Sequence, residues 1–234
     1  MRAVCLAMLA FLLLSCSTFQ SSGLPVLNGL PSAEQSLSGE IVQSCEQTFF
    51  KGQYQFVHSI VFQMADGHGA TVIGVTVLDG DTLKTGLMGV EGFVFFEAIQ
   101  KKDSSLEVNR ALPPFDDPGF ASGLMRDVRT LFQVPSDPHP SVGTFADGTS
   151  VCRYVEDKGQ TTDVKINMDG SREITVYDTD HNRERSITVG PRIPVDGLLI
   201  PGNLKLKAHG MRGYSLDMTL ISAEKIRKYE NKKI

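Results

Sequence analysis

The stretch Tyr54–Met64, YQFVHSIVFQM, is where the chain changes its period. Upstream, Leu37, Ile41, Cys45 and Phe49 recur every four residues, which places them on one face of a helix. Inside the stretch the spacing drops to two, with Tyr54, Phe56, Ile60 and Phe62 alternating against Gln53, Gln55, Ser59 and Gln63. Alternation of that kind puts one side of a strand in a core and the other in water. The spacing therefore predicts a first helix over Ala33–Phe50, opened by Ser32 and Gln35 in a capping-box arrangement, followed by a half-buried strand.

The same period continues downstream. ATVIGVTVLD, LKTGLMGVE, FVFFEAIQ and LEVNRAL follow at short turns, giving a meander of about five antiparallel strands. PPFDDPGF then interrupts it, and Phe120, Leu124, Met125, Val128, Leu131 and Phe132 mark the apolar face of a second helix, with Asp116 or Asp117 and Pro118 at its start. After the Pro-rich VPSDPHPS come six further strands, SVCRYVED, TTDVKINM, REITVYD, RSITVG, NLKLKAHG and YSLDMTLISA. The reading is an α+β chain, mostly antiparallel β, with about 11 strands in one domain over residues 33–223, enough to curl into a barrel or a strongly curved half-barrel.

Composition narrows the functional classes. The 234 residues are 41% hydrophobic and 21% charged, near the globular norm, and a formal charge of -4 argues against a nucleic-acid binder. Arg2 followed by the apolar run Ala3–Leu14 reads as a signal peptide over residues 1–15, since the run is shorter than the about 20 residues a spanning helix needs. Leu13-Leu14-Ser15-Cys16 resembles a bacterial lipobox, which implies that Cys16 becomes an acylated N-terminus and anchors the protein to a membrane. Ser17, not Asp, follows it, which under the sorting rule of enteric bacteria implies the outer membrane, facing the periplasm. Residues 16–32 then read as the anchor and a Ser-, Gly- and Pro-rich tether.

The order helix, meander, helical interruption, second meander, behind a lipobox, resembles the LolA/LolB-like lipoprotein carrier and receptor superfamily. The segments LMGVEGFVFFEA, PPFDDPGFASGLMRDV and GYSLDMTLISA are similar to a branch of outer-membrane lipoproteins of undefined role. The resemblance implies an unclosed half-barrel with helices covering its concave face, sheltering acyl chains of lipid or lipoprotein cargo without enzymatic chemistry or a cofactor. On it, Tyr54, Phe56, Phe62, Phe93 and Phe95 are expected in the cavity wall and Phe120, Leu124, Val128 and Phe132 in a lid. Receptor members carry an apolar-tipped loop between the third and fourth strands, but the connection here, around Val90–Gly92, is very short. Gly197–Pro201 offers either such a tip elsewhere or a buried strand edge. Strands such as Val72–Leu78 are apolar on both faces, which suits a cavity wall and a two-sided sandwich strand equally.

Other chemistry is sparse. His58, His68, His139, His181 and His209 share no metal-binding spacing, and His58 falls among core positions, where a satisfied ring is expected. Asp178, Asp180 and Asn182 imitate a calcium loop, but Arg183 and Val189 stand where Gly and Glu are needed, so a hairpin turn is expected and no metal. With no nucleophile elbow, zinc motif or phosphate loop, a hydrolase has no motif behind it. Cys45 and Cys152 are either a disulfide or two buried thiols. Residues 224–234 form a basic tail, read as a solvated helical end. Beside the carrier stands a second reading, a structural or adaptor lipoprotein with a filled core that docks another envelope protein.

Overall fold

The computed structural model describes residues 23–30, 35–80, 82–113, 115–117, 119–137, 139–156, 158–195, 197–210 and 213–226. The presumed signal peptide, Cys16, Ser32, Pro118 and the tail beyond residue 226 lie outside them. The first half holds β1 (Asn28–Gly29), a 3-10 turn (Gln35–Leu37) running into α1 (Ser38–Glu46), then β2 (Tyr54–Met64), β3 (Gly69–Asp79), β4 (Thr82–Met88), β5 (Val94–Gln100), β6 (Leu106–Ala111) and α2 (Phe120–Phe132). The second half is strand throughout: β7 (Ser141–Thr144), β8 (Ser150–Val155), β9 (Thr161–Ile166), β10 (Arg172–Tyr177), β11 (Arg183–Val189), β12 (Arg192–Val195), β13 (Leu198–Pro201), β14 (Asn203–Ala208) and β15 (Tyr214–Lys225).

Thirteen strands join into one sheet in the order β1-β7-β8-β9-β10-β11-β14-β15-β2-β3-β4-β5-β6, while β12 and β13 form a separate ribbon. All of its pairings are antiparallel. The two meanders are fused where the last strand, β15, lies along β2 from Tyr214 opposite Met64 to Lys225 opposite Tyr54. Glu224 and Lys225, assigned to the tail from sequence, thus continue this strand. The ends of the order, β1 and β6, leave the sheet unclosed. A count of about 11 strands falls short of the 13 found, because β1 and β7 have only two and four residues, too few for an alternation to show.

Both helices cover one face of this sheet. Phe56 and Ile60 on β2, Val72 and Leu78 on β3, Phe96 and Ala98 on β5 and Leu204 and Leu206 on β14 are buried there, following the period-two rule. Single-sheet architecture replaces the sandwich alternative, and the outward Ile73, Val75 and Val77 are only half-buried. The first helix ends at Glu46, four residues before the boundary expected from spacing. Thr48 and Phe49 there donate their N–H groups to Cys45 and Glu46 carbonyls in a tight turn, and the Phe50 N–H reaches the Phe132 carbonyl at 3.2 Å. The chain breaks its helix in order to seat Phe49 and Phe50 beside α2. That second helix starts at Phe120, because Gly119 holds φ at 94°, a left-handed value that a preceding helical turn cannot continue through.

Candidate functional site

The site is built where α2 covers the inner face of β2–β5 and β11. Its apolar stripe, Met125, Val128, Leu131 and Phe132, is buried, with Phe132 stacked on Phe56 at 5.2 Å and Phe120 edge-on to Phe96 at 5.5 Å. Of the expected lid residues, Val128 and Phe132 are thus buried in this contact, and Phe120 and Leu124 pack on it half-buried. All four sit on the helix face turned to the sheet.

The five expected wall residues are not gathered into one surface. Phe56 is fully buried under α2, with Phe50 and Tyr54 against it at 4.5 and 5.7 Å. Tyr54 also lines a shallow cleft of about 370 Å³ with Phe49, Phe50, Arg192, Leu198 and Leu199, beside the β12–β13 ribbon. Phe62 lies toward the opposite end of β2, on Tyr214 at 5.6 Å. Phe95 packs between Phe93 and Phe115 near the far edge of the sheet, and Phe93 itself is 50% exposed. Cys16 lies outside the described residues.

The apolar tips can be placed as well. Gly89–Phe93 is a tight turn, closed by the Gly92 N–H on the Gly89 carbonyl, that carries Val90 at 75% exposure. In Gly197–Pro201 both readings meet, since Ile200 is buried while Leu199 stands 62% exposed on the ribbon, opposite Pro194.

The polar contacts that sequence reasoning missed are in the same place. Asp127 projects from α2 into the interior, where its carboxylate accepts from Arg185 Nε at 2.7 Å and from the Tyr214 hydroxyl. Both carboxylate and guanidinium are almost fully enclosed. Burial pushes the Asp127 carboxyl above the ordinary carboxylate range, against the opposing pull of Arg185 and Tyr214. Burial, and then the Asp127 charge, likewise push the Tyr214 phenol up. At the preceding position, Arg126 Nη1 reaches Glu184 at 2.8 Å, so α2 is bolted to β11 by two adjacent ion pairs. The signal was present in the sequence: Asp127 interrupts an apolar helix face, and Arg185 shares the parity of Ile187 and Val189.

His58 occupies the core as expected but is not satisfied. It is 2% exposed, packs on Phe56 and Phe132, and its Nδ1 has no hydrogen-bond partner among the described residues. Cys45 on α1 and Cys152 on β8 are joined in a disulfide that pins the first helix across β7–β9. Asp178–Asn182 forms the turn between β10 and β11, with the Asp178 carboxylate accepting from the Asp180 and Asn182 N–H groups. Ser186 Oγ and His209 Nε2 are 2.9 Å apart, the geometry of a nucleophile beside a base. Ser186 points away from the face that Arg185 and Ile187 share, and it lines neither described cleft. Burial and then the cations Lys207, Arg183 and Arg185 hold His209 below its ordinary value, where a catalytic pair would have an orienting carboxylate.

No family model matches the chain, and no curated protein matches its sequence. Among solved structures, the LolA superfamily protein of Nitrosomonas europaea superposes with a TM-score of 0.56 at 12% identity, covering 81% of this chain and 93% of that one. A DUF1329 family protein of Desulfovibrio piger gives 0.49 at 11% identity, with 81% and 92% covered. A Vibrio parahaemolyticus domain, described as belonging to an outer membrane lipoprotein-sorting protein, gives 0.46 at 8%, with 84% and 95% covered. An unclosed antiparallel sheet with helices on one face, matched over nearly the whole of its first neighbour, gives this chain the fold of the LolA superfamily.

Proposed function

We propose that this protein shelters the acyl chains of lipid or lipoprotein cargo against the inner face of its half-barrel and passes them on without covalent chemistry. The observation that carries the reading is α2. One helix of 13 residues covers an apolar sheet face, and its attachment depends on its own apolar stripe, the Asp127 contacts with Arg185 and Tyr214, and the Arg126–Glu184 ion pair. A cover held at so few points can lift, and the surface beneath it is apolar. The N. europaea neighbour, a LolA superfamily protein by name, shares the fold.

In this reading Phe120, Leu124, Val128 and Phe132 form the moving lid, and Tyr54, Phe56, Phe62, Phe93 and Phe95 meet the cargo once it opens. Lipid on Cys16 holds the protein at the periplasmic face of a bacterial outer membrane, and another envelope protein delivers the cargo. The Cys45–Cys152 disulfide suits the oxidising periplasm. The adaptor reading is favoured by one specific observation, the close packing of Phe56, Phe96 and Phe132 inside together with the exposed Leu199 and Phe93 outside.

Native mass spectrometry of protein purified from a bacterial periplasm, with lipid extraction of what co-purifies, separates the two. The carrier gives bound phospholipid or acylated peptide near one per chain, and added lysophospholipid speeds amide exchange in α2. A bare chain that takes up no lipid and whose α2 exchange stays unchanged refutes the carrier and leaves the adaptor.

A further inference from the structure

We propose that the polar cleft on the outer side of α2 binds a phosphate-type anion, with the Arg129 guanidinium as its principal contact. The cleft encloses about 420 Å³, within the ordinary range of ligand sites. Its cations come from separate elements: Arg126 and Arg129 from α2, and Lys102 from the β5–β6 turn. Glu156 is the one carboxylate among the described lining residues; Arg126 is offset by Glu184 and Lys102 has a contact of its own, so Arg129 is the cation on which the site turns.

The two arginines are three residues apart, which places them side by side on one helix face, an arrangement that costs stability unless something offsets the repulsion. For Arg126 the offset is visible. Glu184 takes its Nη1 at 2.8 Å and, through its other oxygen, Gln160 Nε2 at 3.0 Å, which fixes the arginine in place and leaves further N–H donors of its fork for a ligand. Arg129 has no such partner: among the described residues, none makes a hydrogen bond or ion pair with its guanidinium. Two planar forks on adjacent turns, with Gln133 and Ser136 on the rim, match an anion that offers several oxygens around one centre.

The anion has two sources, a free phosphate or the headgroup of an amphiphile. The second rests on the carrier reading, because the opposite side of α2 lies on the apolar sheet face, about one helix diameter, roughly 10 Å, from the cleft. A phospholipid could set its head on the outer side of the helix and its chains on the inner side.

Calorimetric titration at low salt with inorganic phosphate, dihexanoyl phosphatidic acid and uncharged dihexanoylglycerol tests both layers, on the wild type and on Arg129→Gln and Arg129→Lys. Because Arg129 has no partner to lose among the described residues, the melting temperature of Arg129→Gln should match the wild type, so a change in binding is not a folding defect. A phosphate-bearing probe should bind the wild type, weaken about tenfold or more in Arg129→Gln and recover in part in Arg129→Lys. Phosphatidic acid binding more tightly than phosphate assigns the site to a lipid head; equal binding assigns it to free phosphate. Binding that is absent, or indifferent to Arg129→Gln, overturns the proposal. Dihexanoylglycerol reports on the carrier alone. Its uptake without any phosphate effect keeps the carrier and removes the anion site, and phosphate binding without uptake of either lipid does the reverse.

Discussion

His58 is a residue whose burial sets a pH dependence for the whole molecule. Enclosure lowers its imidazole from 6.5 to about 4. Between those values the unfolded chain takes a proton that the folded one refuses, so the stability this ring contributes is complete above pH 6.5 and is lost as the pH falls toward 4. The loss attributable to this ring is on the order of 3 kcal/mol at its full extent. Urea denaturation at several pH values should show it, and His58→Leu should flatten the curve across this window; parallel curves for the two proteins would place the acid sensitivity elsewhere.

Asp127 makes the complementary case of a paired buried charge. Asp127→Ala leaves the enclosed Arg185 guanidinium without its partner, which should cost about 3–5 kcal/mol. Asp127→Asn keeps an acceptor for Arg185 and Tyr214 and should cost less, and Asp127→Leu combined with Arg185→Met should recover most of the loss. Chemical denaturation of the three variants beside the wild type decides the matter. An Asp127→Ala protein as stable as the wild type would mean that the latch contributes nothing to holding α2.

At the scale of elements, α2 and the disulfide act on opposite parts of the sheet. Phe132→Ala removes the ring stacked on Phe56 and should destabilise by about 3–5 kcal/mol if the sheet keeps its shape. The same truncation should raise amide exchange in α2 before that of β15, since the helix loses its main apolar contact. Cys45→Ser with Cys152→Ser opens a loop spanning 107 positions, and chain entropy alone predicts a loss of roughly 4–5 kcal/mol. Thermal melting with and without reductant checks it, and equal melting temperatures would show that α1 is held by packing alone.

The long strands and α2 were readable because each repeats its apolar period over several residues, as YQFVHSIVFQM does. The missed elements lack that repetition. β7 has four residues, one of them Gly143, and β12 and β13 each carry a proline within four residues. Helix α1 is shorter than its spacing predicts, because Phe49 keeps the helical spacing while the backbone has already turned. The Asp127–Arg185–Tyr214 cluster joins positions 58 and 87 residues apart, and periodicity along the chain carries no information about which distant charges meet. Both clefts escape for the same reason, since each is assembled from segments far apart in sequence.

For the molecule as a whole, the N-terminal approach to the domain matters most. Asn28 and Gly29 pair with Thr144 and Gly143, and the Pro25 carbonyl accepts from Arg153 Nη2 at 2.9 Å. Arg153 is itself held by Asp163 through two contacts of 2.7 Å. Gly143 lets the segment lie this close, because a Cβ there would meet the Asn28 carbonyl at 2.2 Å. With lipid on Cys16, as proposed, only nine peptide steps separate the bilayer from Pro25, a reach of at most about 30 Å. A compact domain of about 190 residues has a radius of gyration near 16 Å and so spans roughly 40 Å. The leash is shorter than the load it carries. On that proposal the protein swings about its point of suspension without turning over, and the β7–β9 flank hangs nearest the membrane.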